Sequence, residues 1–195
     1  MKIGVIIQAR IGSSRLPGKV LMNLPMHSKV SILDHIISRI PKEYDFYIAS
    51  STEPENEKIS QKYDRVFRGS EDNVLSRFYH IAHLNKYDII VRLTADNVCI
   101  DTKYLIQTVN YHIEKGFDYT GTSGLPLGCN FEVFSLQALE QTYREAISND
   151  DMEHVTLYIK KYPEKFKVGT LHFDSVDEIL DVRLTIDYPS DYAFM

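Results

Sequence analysis

The chain has 195 residues, 44% of them hydrophobic and 25% charged, with a formal net charge of −5. No apolar run approaches the ~18 residues that a membrane span needs, and the amino terminus turns polar at Gln8, too soon for a secretory signal. The acidic balance argues against a general nucleic-acid binder, and Cys99 and Cys129, which form no CxxC pair, support neither a disulfide framework nor a zinc site. The expectation is one cytoplasmic domain over residues 1–195.

In chain order, "KIGVIIQA" predicts a strand, followed after a loop by "SILDHIISRI", a helix capped by Ser31. "YDFYIASS" and "DRVFRG" predict strands on either side of a helical "PENEKISQKY", and "EDNVLSRFYHIAHL" a helix capped by Asp72. The strand "YDIIVRLT" then leads into a helix running from an Asp101 cap to Gly116, and "FDYTG" is the next strand. Strands alternating with helices predict βαβ units and a mostly parallel sheet flanked by helices. Beyond residue 120, "NFEVFS", "FKVGTLHF" and "VRLTIDY" predict strands, and "SLQALEQTYREAI" and "DDMEHVTLYIKKY" predict helices. Ser190 or Asp191 opens a last helix where the chain stops, which reads as a carboxyl terminus cut short.

Charge is concentrated where the first strand ends. The first acid is Asp34, and Lys2, Arg10, Arg15, Lys19 and Lys29 precede it, so an end carrying +5 belongs to a remainder of −10. In open α/β sheets ligands sit beyond the carboxyl ends of strands, so "ARIGSSRLPGK" lies where a site is expected, with glycines for backbone approach and Arg10, Arg15 and Lys19 for an anion. A P-loop is excluded: five residues separate Gly12 from Gly18 where four are required, and Val20 replaces the magnesium-binding hydroxyl. The plain alternative is a Pro-Gly turn carrying solvated cations.

Asp96 ends the strand "VRLT" without a capping role, and Asp187 follows "VRLTI" in the same way. Two carboxylates at strand ends suit a hard dication that completes its shell with phosphates and water. Each is equally at home as a turn residue when taken singly. Arg77 and Arg92 suit phosphate or sugar clamps, or surface ion pairs. Asn130 and Glu132 bring an amide and a carboxylate to one strand face, suited to hydroxyl recognition or to solvent. His154 lies within a predicted amphipathic helix, as a partly buried or a catalytic imidazole.

The stretches "IIQARIGSSRLPGKVL", "FRGSEDNVLSRFY", "VRLTADNVCID", "EHVTLYI" and "RLTIDYPSDY" together resemble, over nearly the whole chain, the cytidylyltransferase-like family of spore coat polysaccharide biosynthesis protein F, related to CMP-sialate and CMP-Kdo synthetases. The resemblance implies a Rossmann-like nucleotidyltransferase (nucleotide-diphospho-sugar transferase) fold and transfer of CMP from CTP to a sugar acid or related acceptor, with release of pyrophosphate, in surface polysaccharide biosynthesis. It implies nucleotide contacts from Arg10, Gly12, Ser13, Arg15, Lys19, Arg77 and Thr94, and a catalytic role for Arg15, Lys19 and Asp96. Mg2+ would be held by Asp96 and Asp187, and the acceptor by Asn130, Glu132 and His154. The implied partners are CTP and a small-molecule acceptor, with no nucleic acid or membrane, and the resemblance leaves room for a homodimer.

Two alternatives stand beside that reading: a nucleotide-sugar glycosyltransferase, though the expected D-x-D is absent, and a weakly catalytic nucleotide-binding module. Two stability expectations also follow from a solvated loop beside a cluster of acids. Lys19→Ala and Arg15→Ala should cost the fold little, and Asp96→Asn should relieve repulsion.

Overall fold

In the computed structural model, which describes residues 1–174 and 181–195, a seven-stranded sheet lies between two layers of helices. The strands are β1 (Ile3–Gln8), β2 (Asp45–Ser51), β3 (Val66–Gly69), β4 (Ile89–Thr94), β5 (Tyr119–Ser123), β6 (Glu132–Ser135) and β7 (Val168–His172), in the order β3-β2-β1-β4-β6-β5-β7. Neighbours β3 to β4 pair in parallel, β6 runs antiparallel between β4 and β5, and β7 is parallel to β5. The mostly parallel sheet is therefore as predicted, interrupted by one reversed strand among the described residues.

Alternation along the central strands divides the core between the faces. Val5, Ile7, Val91 and Leu93 pack with Ile32 and Ile36 of α1 (Ile32–Ser38) and with Leu105 and Val109 of α4 (Thr102–Lys115). Ile6 and Ile90 pack on the other face with Leu75, Phe78 and Ile81 of α3 (Val74–Asn85) and Leu139 of α5 (Leu136–Glu145). Burial on both sides is why these strands read as continuous apolar runs. At the carboxyl ends the pattern changes: Gln8 pairs in register with Thr94, and Arg92 with Glu132, so polar side chains continue the Ile6 and Ile90 face where the core runs out.

Ser31 and Asp101 cap their helices and Gly116 ends α4 in the left-handed region at φ 59°, as read from the sequence. Other elements differ. The cap of α3 is Asn73, whose Oδ1 accepts the Ser76 N–H at 2.8 Å, and not Asp72. "DDMEHVTLYIKKY" is two short helices, α6 (Asn149–Glu153) and α7 (Leu157–Lys161), broken at a non-helical His154. The last helix, Pro189–Phe194, opens with proline at its first position, and Asp191 accepts the N–H groups of Asp187 and Tyr188 at 2.8 and 2.9 Å.

"VRLTIDY" is not a strand. It forms one isolated parallel bridge, between Leu127 and Arg183, and its amides at Leu184 and Ile186 donate to the carbonyls of Leu127 and Asp96 at 2.7 and 3.0 Å. Both edges of β4 are already paired, to β1 and β6, so an extended segment arriving there can bond only to the loops at the sheet's end. Asp187 thus reaches the carboxyl end of β4 without being the end of a parallel strand.

That docking depends on Gly128. Its φ is 100°, and a Cβ there would lie 2.3 Å from the Leu184 carbonyl carbon and 2.4 Å from the Thr185 nitrogen. Gly128→Ala should cost about 1–3 kcal/mol in chemical denaturation from strain and backbone clash. The same variant should lose affinity for any ligand that needs Asp187.

Candidate active site

The loop after β1 is closed by its own backbone. The Ile11 carbonyl accepts from the Ser13 and Gly18 amides at 2.7 and 2.9 Å, and Lys19 opens a single turn of 3-10 helix, Lys19–Leu21. Asn56, the 1% exposed residue that opens α2 (Glu57–Lys62), braces it from beside β2: its Oδ1 accepts the Ile11 N–H at 2.6 Å and its amide donates to Ser51 Oγ at 2.6 Å. Since the Ser13 and Gly18 amides are spent inside the loop, charge reaches the cleft on side chains instead of on those backbone groups.

Those side chains line a cleft of about 210 Å3 together with Gln8, Thr94, Asp96 and Asp187. Lys19 is 7% exposed, and its Nζ donates to Asp96 Oδ2 at 3.1 Å, the Ile186 carbonyl at 2.7 Å and Asp187 Oδ1 at 3.0 Å. An ammonium has three donors, and all three are used. Two carboxylates on one nitrogen have those oxygens no more than about 6 Å apart, close enough for one ion to engage both directly or through water. Arg15 Nη2 and Arg183 Nη2 add further contacts to Asp187 at 2.9 and 2.7 Å. Burial would raise the Asp187 pKa, but Lys19 first, then Arg15 and Arg183, hold it below the ordinary carboxylate value.

Asp96 and Asp187 are therefore not a bare pair of acids, and the expected relief of repulsion in Asp96→Asn has no basis. Asp96 Oδ1 also accepts from Thr94 Oγ1 at 2.6 Å. The expectation that Lys19 is a solvated loop cation is likewise corrected: Arg15 is exposed, but Lys19 is buried at the joint of three segments.

A second cleft, about 280 Å3, adjoins the first and shares Thr94 with it. Its floor is Glu132, which accepts from Arg92 Nη1 at 2.7 Å, Tyr119 OH at 2.7 Å and Thr156 Oγ1 at 2.9 Å, and from Lys160 Nζ. Gly121, in register with Glu132, leaves room for the Tyr119 hydroxyl. Burial would raise the Glu132 pKa, yet Arg92, then Lys160, and the hydrogen bonds bring it to about 2. Glu132 is a fixed anion with its lone pairs occupied, and cannot serve as a general base near neutrality.

Of the residues singled out from the sequence, Arg10, Ser13, Arg15, Lys19, Thr94, Asp96 and Asp187 meet in the first cleft, and Arg92, Asn130 and Glu132 in the second. Three do not. Gly12 is outside the lining and faces Glu55, whose Oε1 would lie 3.3 Å from an added Cβ. Arg77 is 1% exposed and packs its stem under Gly69, because α3 turns that position inward. His154 is exposed at the break between α6 and α7, and lines neither cleft. Sequence reasoning missed Lys160, Tyr119, Thr156 and Arg183, which carry no motif and gain meaning only from Glu132 and Asp187. Among the described residues no three His, Cys, Asp or Glu side chains form a metal cluster, and no helix is long and apolar enough to cross a membrane.

Paired clefts at the carboxyl edge of an α/β sheet, one rich in cations and carboxylates and one polar, have the arrangement of a nucleotide-dependent transferase, where ligands sit beyond the strand ends. The chain belongs to the Cytidylyltransferase family, whose sequence profile matches residues 4–195. It is 37% identical over 196 residues to the spore coat polysaccharide biosynthesis protein SpsF of Bacillus subtilis, covering 96% of this chain and 82% of that protein. Among solved structures it is similar to a cytidylyltransferase from Leptospira borgpetersenii, at TM-score 0.89 and 29% identity over 98% of this chain and 84% of that one. It shares its fold with a CMP:2-keto-3-deoxy-manno-octonic acid synthetase solved with CTP, at TM-score 0.71 and 14% identity over 97% and 95% of the two chains.

Two outcomes follow from the charge networks. Lys19→Met leaves Asp96, Asp187 and the Ile186 carbonyl without their shared donor, and should lower stability by about 3 kcal/mol in urea denaturation at pH 7. Glu132→Gln should destabilise by a similar amount at pH 7, on the order of 3 kcal/mol for a carboxyl lowered to about 2. A folded-state pKa below the unfolded one stabilises above the unfolded value, so the gap between parent and Glu132→Gln should close as pH falls from about 4 toward 2. Urea midpoints across that range check it.

Proposed function

We propose that this protein transfers CMP from CTP to a hydroxyl of a sugar acid, releasing pyrophosphate, in the synthesis of a surface polysaccharide. The observation that carries the reading is the junction at Thr94 of a cleft lined by Arg10, Arg15 and Lys19 with one lined by Arg92, Lys160 and Glu132. The first suits a triphosphate. The second has one cation in excess of its fixed anion, suited to an acceptor bearing a carboxylate. The family, the likeness to SpsF and the synthetase of the same fold bound to CTP support the same assignment.

In the reaction an acceptor oxygen forms a bond to the α-phosphorus as the bond from that phosphorus to the bridging oxygen breaks. The electron pair leaves with pyrophosphate and the acceptor proton passes to bulk water, since Glu132 is already committed. The protein contributes alignment of two clefts and compensation of phosphate charge. Arg15, exposed, would exchange its Asp187 contact for the β- and γ-phosphates, and Lys19 its carboxylate partners.

The two carboxylates are oxygen donors gathered around a cation, a donor set that fits Mg2+, and Asp96 and Asp187 would hold it. A divalent ion bound there supplies Lewis-acid polarisation of the phosphates. A protein of the same fold at 13% identity, Rv0371c of Mycobacterium tuberculosis, has been solved with manganese.

Calorimetry with the four nucleoside triphosphates and Mg2+ should show selectivity for CTP, and equal affinity for a purine triphosphate would remove the cytidylyl assignment. Arg15→Ala should weaken CTP by about 1.5–3 kcal/mol through loss of a charge-assisted hydrogen bond, with little change in stability because Arg15 is exposed. Pyrophosphate should appear when CTP is incubated with the right sugar acid. Release of a nucleoside phosphate instead would indicate glycosyl transfer.

A further inference from the structure

The amide of Gln8 stands at the boundary between the two clefts. Gln8 lines the nucleotide cleft and Arg92 the acceptor cleft, and Arg92 Nη2 donates to Gln8 Oε1 at 3.1 Å while Arg92 Nη1 donates to Glu132 Oε2 at 2.7 Å. A guanidinium has donors and no acceptor, so Gln8 must face it with the carbonyl oxygen. The opposite end of the amide, the NH2 group, is thereby turned away from Arg92, and among the described residues no hydrogen bond from Gln8 Nε2 is formed. Glu132 holds Arg92, Arg92 holds Gln8, and the orientation of the amide follows from a half-buried ion pair.

We infer that Gln8 donates through Nε2 to the α-phosphate of the nucleotide, with Arg92 as the positioning residue that sets its polarity. This rests on the cytidylyl-transfer reading. In that reaction the α-phosphorus must touch both leaving group and acceptor, so it sits where the clefts meet. The junction is formed by Thr94 and, in register beside it on β1, Gln8. The Thr94 hydroxyl is already donated to Asp96 Oδ1 at 2.6 Å. Arg15 is paired with Asp187, and the three donors of Lys19 are spent on Asp96, the Ile186 carbonyl and Asp187. A two-proton donor with a preset orientation at the transfer point stabilises the charge that builds on the α-phosphate oxygens, without reorganising during the reaction.

The test compares CTP, CMP and cytidine on the parent, Gln8→Met and Gln8→Glu, with thermal unfolding to verify the fold. Gln8→Met keeps the size and removes the donor. It should weaken CMP and CTP about tenfold, as expected for a lost hydrogen bond to a charged group, and leave cytidine unchanged. Gln8→Glu, which turns a carboxylate to the phosphate, should weaken CMP and CTP further while still leaving cytidine unchanged. Equal losses for all three ligands would mean general damage to the cleft and would overturn the inference, as would unchanged affinity for CMP in Gln8→Met. If the parent itself bound neither CTP nor CMP, the cytidylyl reading would fail and take this inference with it. Parent binding that survives in Gln8→Met sinks the role of Gln8 alone.

Discussion

The ammonium of Lys19 joins three parts of the chain that are far apart in sequence. It is held by Asp96 after β4, and by Ile186 and Asp187 on the extended segment that reaches the same edge, while its own backbone belongs to the loop after β1. Taking a lysine out of water is costly unless every donor is satisfied, and here three acceptors meet three donors. The contact therefore works as a coordinate for the whole first cleft. Arg15 and Arg183 reach the site through Asp187, and Asp187 has its place because the Lys19 contact and the Ile186 amide hold its segment on the end of β4.

The second cleft follows a complementary rule. Its central group is an anion, Glu132, supported by Arg92, Tyr119, Thr156 and Lys160. These come from β4, β5, the turn before α7 and α7 itself, so the cleft is assembled by one helical layer together with neighbouring strands around the reversed strand β6. That strand matters. In a fully parallel sheet Glu132 would stand at the other end of its strand from the cleft, whereas reversed β6 puts its first residue level with Arg92 at the carboxyl end of β4.

The two networks touch through Gln8 and Thr94, neighbours in register on the adjacent strands β1 and β4. Lys19 can be freed for phosphate only if something else compensates Asp96 and Asp187. The Glu132 cluster, with four donors on a single carboxylate, has no comparable freedom. One cluster thus has partners to exchange and the other is fixed, an asymmetry that suits the transfer we propose, in which a triphosphate is broken while an acceptor is held still.

Much of this was legible in the sequence because it depends on local rules. Alternating strands and helices, the Ser31 and Asp101 caps, the cationic loop free of acids and the lone Asp96 at a strand end follow from periodicity, capping and the edge of a sheet where helix amino termini gather. What could not be read are partners set by distance in space. That Lys19 is buried instead of solvated depends on the approach of Asp187 across 168 positions. That Arg77 points into the core and His154 into solvent depends on how α3 rotates and where the α6–α7 break falls, since a helical period names a face without naming its neighbour. The sheet's register decided that Glu132 meets Arg92, and occupied edges on both sides of β4 decided that the Asp187 segment could not join as a strand, because hydrogen-bonding capacity at an edge is a property of the assembled sheet and of no single stretch of chain.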